Sequence, residues 1–550
     1  MTANIRAVMK YLHILWLVFA LVLSGAVAQS ISTQVPAPPD LVKQAIEAMG
    51  GTDALRSFKR VGITAEVTHW EPEESYVAGG EPRFVDHSTF AVAWDLEKGA
   101  ARTDWDREIQ FPAVTHDKYS EIVTPALGYV DFVGTTLNIV QDDLPQKGKQ
   151  PMSGIRVAAH LRELERASPT LLLKALDTPQ NLSAVPDQTL GGGVFEGAYG
   201  GVFPAISLPA VAFTDGGTKF TILFDRKTHL PAAIRTLDDD NIHGDSNYDL
   251  VLADWRPVQG VLVARSLTYT LDNIEIAKIA YKEVEANPLI PVETFTIPNE
   301  IKAAAKPPAT GNVPYQWVLR RLNIGRFPDS DAVNFMPGES LKLVELSPNI
   351  QQVVGGSHNS LIVAMRGYLV VFDAPINEWQ SRFTIDSAKA KYPGKPVKYI
   401  VLTHSHMDHA GGVRTYVAEG ATVIVPSPDK AFFEKVFKAA HTMNPDELQK
   451  DPKPATIIEV TDPMSLKDAG GEIRLYRIPN PHVEGMLIGY VVNENLVWVT
   501  DVYSPVRDKV KNPAGVAFYE TLKTLGLKPA RFAGGHGGAG SYADFEAIEK

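Results

Sequence analysis

The stretch THSHMDHAGG, residues 403–412, sets His404, His406, Asp408 and His409 close together in a chain of 550 residues that has 14 histidines in all. Three histidines at one fixed spacing arise by chance roughly 0.01 times in such a chain, so the cluster asks for a chemical reason. Imidazole nitrogens and carboxylate oxygens are the ligands Zn²⁺ takes where thiolates are missing, and hydrolytic sites built from them keep one position open for water. The chain has no cysteine, which excludes thiolate nucleophiles and every sulfur-ligated metal. The alternation of His404 and His406 lets both rings face one cation. Asp408 and His409, further round the loop, can face a second, and Gly411 and Gly412 allow a tight backbone turn after them.

Two cations need more ligands than one loop carries. His482 in IPNPHVEGM follows the apolar run EIRLYRI, Asp501 ends LVWVTD, and His536 in FAGGHGG follows an apolar residue and precedes glycines. Each occupies a strand-to-loop exit, as the first cluster does. Taken alone, His536 would read as a surface-loop residue and Asp501 as a turn or helix cap; beside the cluster both read as ligands. His358 in GGSHNS reads as a turn histidine, with a substrate contact as the alternative. Tyr503 and Ser504, just after Asp501, are candidate substrate contacts by position, whereas His87, His116, His160, His229 and His243 have no ligand-like spacing.

The elements that must position these residues are legible around them. VKYIVLT (397–403) is the nearly unbroken apolar run of a strand buried on both faces. It puts the histidine cluster at a strand's C-terminal end, where ligands bind in α/β sheets. Closely spaced strands precede it (SLKLVEL, NIQQVVG, SLIVAMRG, YLVVFDAP), and helix-like and strand-like runs alternate after it (DKAFFEKVFKAAH, EIRLYRI, MLIGYVV). From about residue 58 to 300 short alternating runs such as VGITAEVTHW, STFAVAWDL, KFTILFD and SLTYTLDN predict an antiparallel sheet, with helices at 156–167 and 169–176. LGGGVFEGAYGGVFP (190–204) reads as a loop, because no strand-to-helix context would make it a phosphate cradle. IKAAAKPPATGNVP (301–314) opens an interdomain linker.

Arg6 and Lys10 precede the apolar run YLHILWLVFALVL, which ends near the small-residue triplet Ala26-Val27-Ala28. This predicts a cleaved secretory signal over 1–28 and a periplasmic or secreted mature protein with no stable membrane span. Removing it takes two positive charges and no negative ones from a chain of net charge −11, leaving 51 − 64 = −13. Such an acidic protein repels phosphate backbones, which argues against a nucleic-acid partner and for a small-molecule substrate.

On these residues the region of about 340–550 resembles the metallo-β-lactamase fold superfamily, with VVGGSHNSLIVAMRGYLVVFDAP similar to its opening strand pair. The resemblance implies an αβ/βα four-layer sandwich and two zinc ions per chain, with iron or manganese as alternatives. It implies that His404, His406 and His482 hold one ion, that Asp408, His409 and His536 hold the other, and that Asp501 bridges them. Asp501 falls where β-lactamases of this fold generally have Cys or Ser, and a bridging aspartate is typical of the glyoxalase II, lactonase and phosphodiesterase branches. HVEGM also departs from the common H-[ST]-x-G-[SH] at His482. LVKQAIEAMGGTDALRSFKRVGITAEV, LFDRKTHLPAAIR, LADWRPVQGVLVARSLTY and NPLIPVETFTIP are similar to pieces of the outer-membrane lipoprotein carrier fold, a curved half-barrel.

The expectation is an α+β multidomain chain: signal peptide 1–28, mainly β domain 29–300, linker 301–339 and metal-dependent hydrolase domain 340–550. A metal-bridging hydroxide would cleave a small ester, lactone, thioester or lactam, with Asp408 as the catalytic residue that orients it and shuttles a proton. The alternatives are a mononuclear iron persulfide-type dioxygenase of the same fold, and a lipid- or envelope-component binding protein with an auxiliary metal domain. A combination, in which the N-terminal sheet delivers a lipophilic substrate, is also open.

Overall fold

The computed structural model describes residues 37–111, 114–132, 148–192, 204–304, 306–310, 340–356 and 358–550. The expected signal at 1–28, most of the glycine-rich stretch and residues 311–339 of the expected linker lie outside them.

The alternating runs of the N-terminal half form one antiparallel sheet of 13 strands. Arg60–Glu71 lies near its middle, paired with Arg83–Asp95 on one side and Ile274–Ala286 on the other. Its residues alternate between buried and more exposed, as a strand with two unlike faces requires. Pro38–Ala48 and Leu171–Asp177 cover the sheet, burying Val42, Ile46, Leu171 and Leu172 with Val61, Ile63, Ile222 and Phe213. Each such side chain contributes about 1.5–3 kcal/mol when it leaves water, enough to anchor helices too short to persist alone. The helix Gly154–Ala167, in the same half, starts at Ser153, whose Oγ accepts from Arg156 N at 3.1 Å.

Asn299–Ala304, where the sequence places the opening of the linker, is a short helix whose Ile301 is buried with Ile122, Tyr129 and Ile297. Ala309 N then donates to Gly154 O at 2.8 Å. Alanine favours helix there, and one apolar anchor suffices to seat it.

The C-terminal region is a four-layer sandwich. A seven-stranded sheet runs from Lys342–Ser347 to Ile457–Val460; Leu369–Phe372, Val397–Val401 and Thr422–Pro426 are parallel neighbours within it. A six-stranded sheet, Met464–Asp468 to Ala539–Ser541, faces it. Phe372, Val401, Ile424, Leu475 and Trp498 fill the space between the sheets. Glu378–Lys391 and Val413–Glu419 cover the first sheet through Ile385, Ala388, Tyr416 and Val417. Pro513–Thr524 and Tyr542–Glu549 cover the second through Phe518, Leu522 and Phe545. The α+β class and the αβ/βα layering expected from the sequence are what the molecule has.

The two halves are stitched together. Asp245 Oδ1 and Oδ2 accept from Met443 N and Thr442 N, both at 3.0 Å, Asn241 Nδ2 donates to Ile376 O at 2.7 Å, and His441 Nδ1 lies 3.0 Å from Asp239 Oδ1.

Candidate metal centre

Val397–Val401 carries the chain into His404 and His406, and the single turn Met407–Ala410 then presents Asp408 and His409. The two glycines after it are required by close approach: a Cβ on Gly411 would stand 2.2 Å from Ile376 O, and one on Gly412 2.1 Å from Ser381 Oγ. His482 sits in a turn held by Asn480, whose Oδ1 accepts from His482 N at 2.9 Å and Val483 N at 2.8 Å. Asp501 follows Leu496–Val499 in the left-handed region at φ 50°, a conformation aspartate tolerates. His536 follows Arg531–Gly534.

All seven expected residues converge. Nitrogens of His404, His406 and His482 lie within 4.8 Å of one another, as do ligand atoms of Asp408, His409, His536 and His358. Asp501 spans the two groups: Oδ2 is 3.5 Å from His404 Nε2 and 3.1 Å from His409 Nε2, and Oδ1 is 2.7 Å from His536 Nε2. The outward ring nitrogens are already engaged, which fixes which atoms face the centre. His404 Nδ1 lies 3.1 Å from Thr403 Oγ1, His409 Nδ1 3.3 Å from Asp373 Oδ2, and His406 Nε2 3.0 Å from Ser75 O. That leaves His404 Nε2, His406 Nδ1 and His409 Nε2 pointing inward.

Burial, followed by the nearness of His406 and His409, holds His404 well below the usual imidazole range. Burial likewise brings His406 and His358 down to about 4 and His482 down to about 3, so these rings are neutral and present lone pairs at neutral pH. Burial opposes ionisation of Asp408 and Asp501. The neighbouring histidines outweigh it, His358 and His409 at Asp408 and His409 and His536 at Asp501, and hold both well below the carboxylate range. At His409, Asp501 and Asp408 outweigh burial and hold the ring well above its usual value.

The donor set fits divalent metal ions. It is all nitrogen and oxygen, mostly buried, and it contains atoms with nothing else to bind: His404 Nε2 and Asp408 Oδ1 are buried without a hydrogen-bond partner. A buried polar atom left so costs free energy, which a bound cation would recover.

Four site residues were not legible as such. His358, read as a turn residue or substrate contact, is buried with Nε2 3.0 Å from Asp408 Oδ2 and its ring centroid 4.4 Å from that of His536. Asp373, at the exit of the YLVVFDAP strand, accepts from Thr403 N and Oγ1 at 2.8 and 2.9 Å and from Trp498 Nε1 at 3.2 Å. Its place at a strand exit, like that of Asp501, was the available signal. Glu74 and Arg83 come from the N-terminal sheet, and no spacing announces them: Glu74 Oε2 is 3.0 Å from His406 Nδ1, and Arg83 Nη2 donates to His482 O at 2.6 Å. Burial, then repulsion from Asp408, Glu71 and Asp501, holds the Glu74 carboxyl well above its usual range.

Tyr503, a candidate substrate contact by position, is turned away from the site. It is 1% exposed and packs on Phe532 and Phe545 beneath the outer helices, so it is a core residue and not a substrate contact. His243, without ligand-like spacing in the sequence, is gathered with Glu73 and Asp240, their ligand atoms within 4.8 Å of one another.

Residues 353–498 match the metallo-β-lactamase superfamily. The C-terminal region is therefore a domain of that superfamily, carrying the donor set of a metal-dependent hydrolase. Over 78 residues the chain is 36% identical to a linear primary-alkylsulfatase of Pseudomonas sp., a stretch that is 14% of this chain and 12% of that protein. Among solved structures, it is similar to a metallo-β-lactamase from Pontibacter korlensis at 15% identity and a TM-score of 0.30, covering 38% of this chain and 97% of that one. It is also similar to a stereoselective inverting sec-alkylsulfatase from Pseudomonas sp. at 16% identity and a TM-score of 0.29, covering 38% and 40%.

Proposed function

We propose that the protein is an exported dinuclear metal hydrolase of small ester-type substrates: carboxylic esters, lactones, thioesters or lactams. The observation that carries this reading is the Asp501 carboxylate shared between two histidine groups, with His404 Nε2 buried between them and without a hydrogen-bond partner. His404, His406 and His482 would hold one ion and Asp408, His409 and His536 the other, with Asp501 between them and zinc as the ion the donors suit best. When bound, such ions lower the pKa of water and polarise a substrate oxygen.

The chain's own residues then have defined tasks. Asp408 is held well below the carboxylate range, so its carboxylate can take a proton from the attacking water and return it to the leaving group. His358 holds that carboxylate in place. Asp373 and Thr403 fix the tautomers of His409 and His404. Export rests on the character of residues 1–28.

The local identity with a linear primary-alkylsulfatase favours a second reading, in which the substrate is an alkyl sulfate ester. One experiment separates the two: zinc-loaded protein and its Asp408→Asn variant are assayed on carboxylic esters, lactones, thioesters, β-lactams and alkyl sulfates. Turnover confined to alkyl sulfates selects the second reading. A two-zinc protein that turns over none of these classes contradicts both.

A further inference from the structure

The hairpin end that joins the first two strands of the N-terminal sheet reaches into the metal centre. The strands leading to it are stiffened by a buried set: His69 Nδ1 lies 2.6 Å from Asp86 Oδ1, and Arg107 Nε donates to Asp86 Oδ2 at 2.8 Å. Beyond a register shift between His69 and Trp70, Pro72–Glu74 makes one 3₁₀ turn, closed by Ser75 Oγ donating to Pro72 O at 2.6 Å. A bulge of this kind re-aims the chain beyond it.

Three links then fix the turn to the metal domain. His406 Nε2–H donates to Ser75 O at 3.0 Å, Glu484 N donates to Tyr76 O at 2.8 Å, and Arg83 joins Glu74 O (2.5 Å from Nε) to His482 O (2.6 Å from Nη2). The outcome is that the Glu74 carboxylate enters the site. Oε2 stands 3.0 Å from His406 Nδ1, and Glu74, His406 and Asp408 offer ligand atoms all within 4.8 Å of one another.

Three carboxylates, Glu74, Asp408 and Asp501, thus meet in a mostly buried space. Arg83, the neighbouring guanidinium, donates to the backbone carbonyls of Glu74 and His482 rather than to the carboxylate. Like charges gathered out of water are strongly unfavourable unless a cation compensates them. His406 links the two observations: its Nε2–H is used by Ser75, so its Nδ1, the atom facing Glu74, is the one free to ligate.

We propose that Glu74 is a further ligand of the metal centre, a carboxylate contributed by the N-terminal sheet beside His406 and Asp408. This rests on the dinuclear metal reading above. It makes the N-terminal sheet part of the centre: the Ser75 carbonyl sets the tautomer of His406, and Glu74 adds an oxygen to the ion's ligand set.

The test uses the full chain with Glu74→Gln and Glu74→Ala. Zinc affinity is measured by competition with a chromophoric chelator, ligand geometry by the visible bands of the Co²⁺-loaded protein, and folding by thermal melting of the metal-free protein. The expected result is affinity weakened about tenfold or more for one ion and altered Co²⁺ bands in both variants. Metal-free Glu74→Gln should melt no lower than wild type, since the amide keeps the shape of the carboxyl and cannot ionise beside Asp408 and Asp501. Wild-type affinity with unchanged Co²⁺ bands in both variants would overturn the assignment, and so would an affinity loss matched by lower metal-free stability. A wild-type protein that binds no zinc would instead overturn the dinuclear reading on which it rests.

Discussion

Replacing Asp373 by asparagine should damage the metal centre without touching any inward-facing ligand atom. Asp373 is fully buried, and its two oxygens face donors on both sides: Thr403 N and Oγ1 at Oδ1, Trp498 Nε1 and His409 Nδ1 at Oδ2. Asparagine keeps the shape but turns one oxygen into an NH₂ group. Either amide orientation sets that NH₂ against donors. One or two buried donors are left unpaired, at about 1–3 kcal/mol each, so metal-free Asp373→Asn should lose about 1–6 kcal/mol of folding stability. The part of this that falls on His409 also releases its ring. Loss of an outer partner to a metal-ligating histidine typically weakens metal binding by about 10–100-fold, or about 1.4–2.7 kcal/mol. Urea denaturation of the metal-free protein reads the first quantity, and chelator competition without denaturant, at a temperature well below melting, reads the second. A variant of wild-type stability that holds both ions within about twofold of wild-type affinity would refute the reasoning, since it would mean that Asp373 neither satisfies these donors nor orients His409.

Two further perturbations follow from single contacts. Asp429 is 2% exposed and its carboxyl is pushed up to about 8 by burial and by Glu484. Between an unfolded value of about 3.9 and that value the native state holds the extra proton, so stability should fall as pH rises through this window. Asp429→Asn should match wild type near pH 4 and exceed it by up to about 4 kcal/mol at pH 7, at about 1.4 kcal/mol per pH unit; equal denaturation curves at both pH values would contradict this. Gly535→Ala would set a Cβ 2.6 Å from Thr500 Oγ1 and 3.1 Å from His409 Cε1. Titration with zinc should show one site weakened and the other near wild type, and two unchanged sites would show that the glycine is not needed for room.

The residues that converge could be read from the sequence because metal chemistry constrains residue type. His404, His406, Asp408 and His409 share one loop, and His482, Asp501 and His536 each stand where an apolar strand ends, so local pattern and chemistry point the same way. The strands of the sandwich were legible for the same reason: runs such as VKYIVLT are buried on most sides and carry little that is polar. Glu74 was not legible. It lies in a turn whose composition is that of an ordinary exposed hairpin, and only the pairing of two halves of the chain brings it to His406. His358 was legible as a residue but not in its role, because its turn gives no direction to the ring. Tyr503 failed as a substrate contact because nearness in sequence to Asp501 says nothing about the side of the sheet on which the ring lands; Phe532 and Phe545 take it into the core.

The most direct test of the central claim is the metal content of the untagged protein by elemental mass spectrometry, beside a His409→Ala variant. The account predicts about two zinc ions per chain in the wild type and about one in the variant. One iron per chain, unchanged by the substitution, would contradict the dinuclear centre and move the protein to a single-metal oxygenase chemistry; no metal in either protein would contradict a metal-dependent activity altogether.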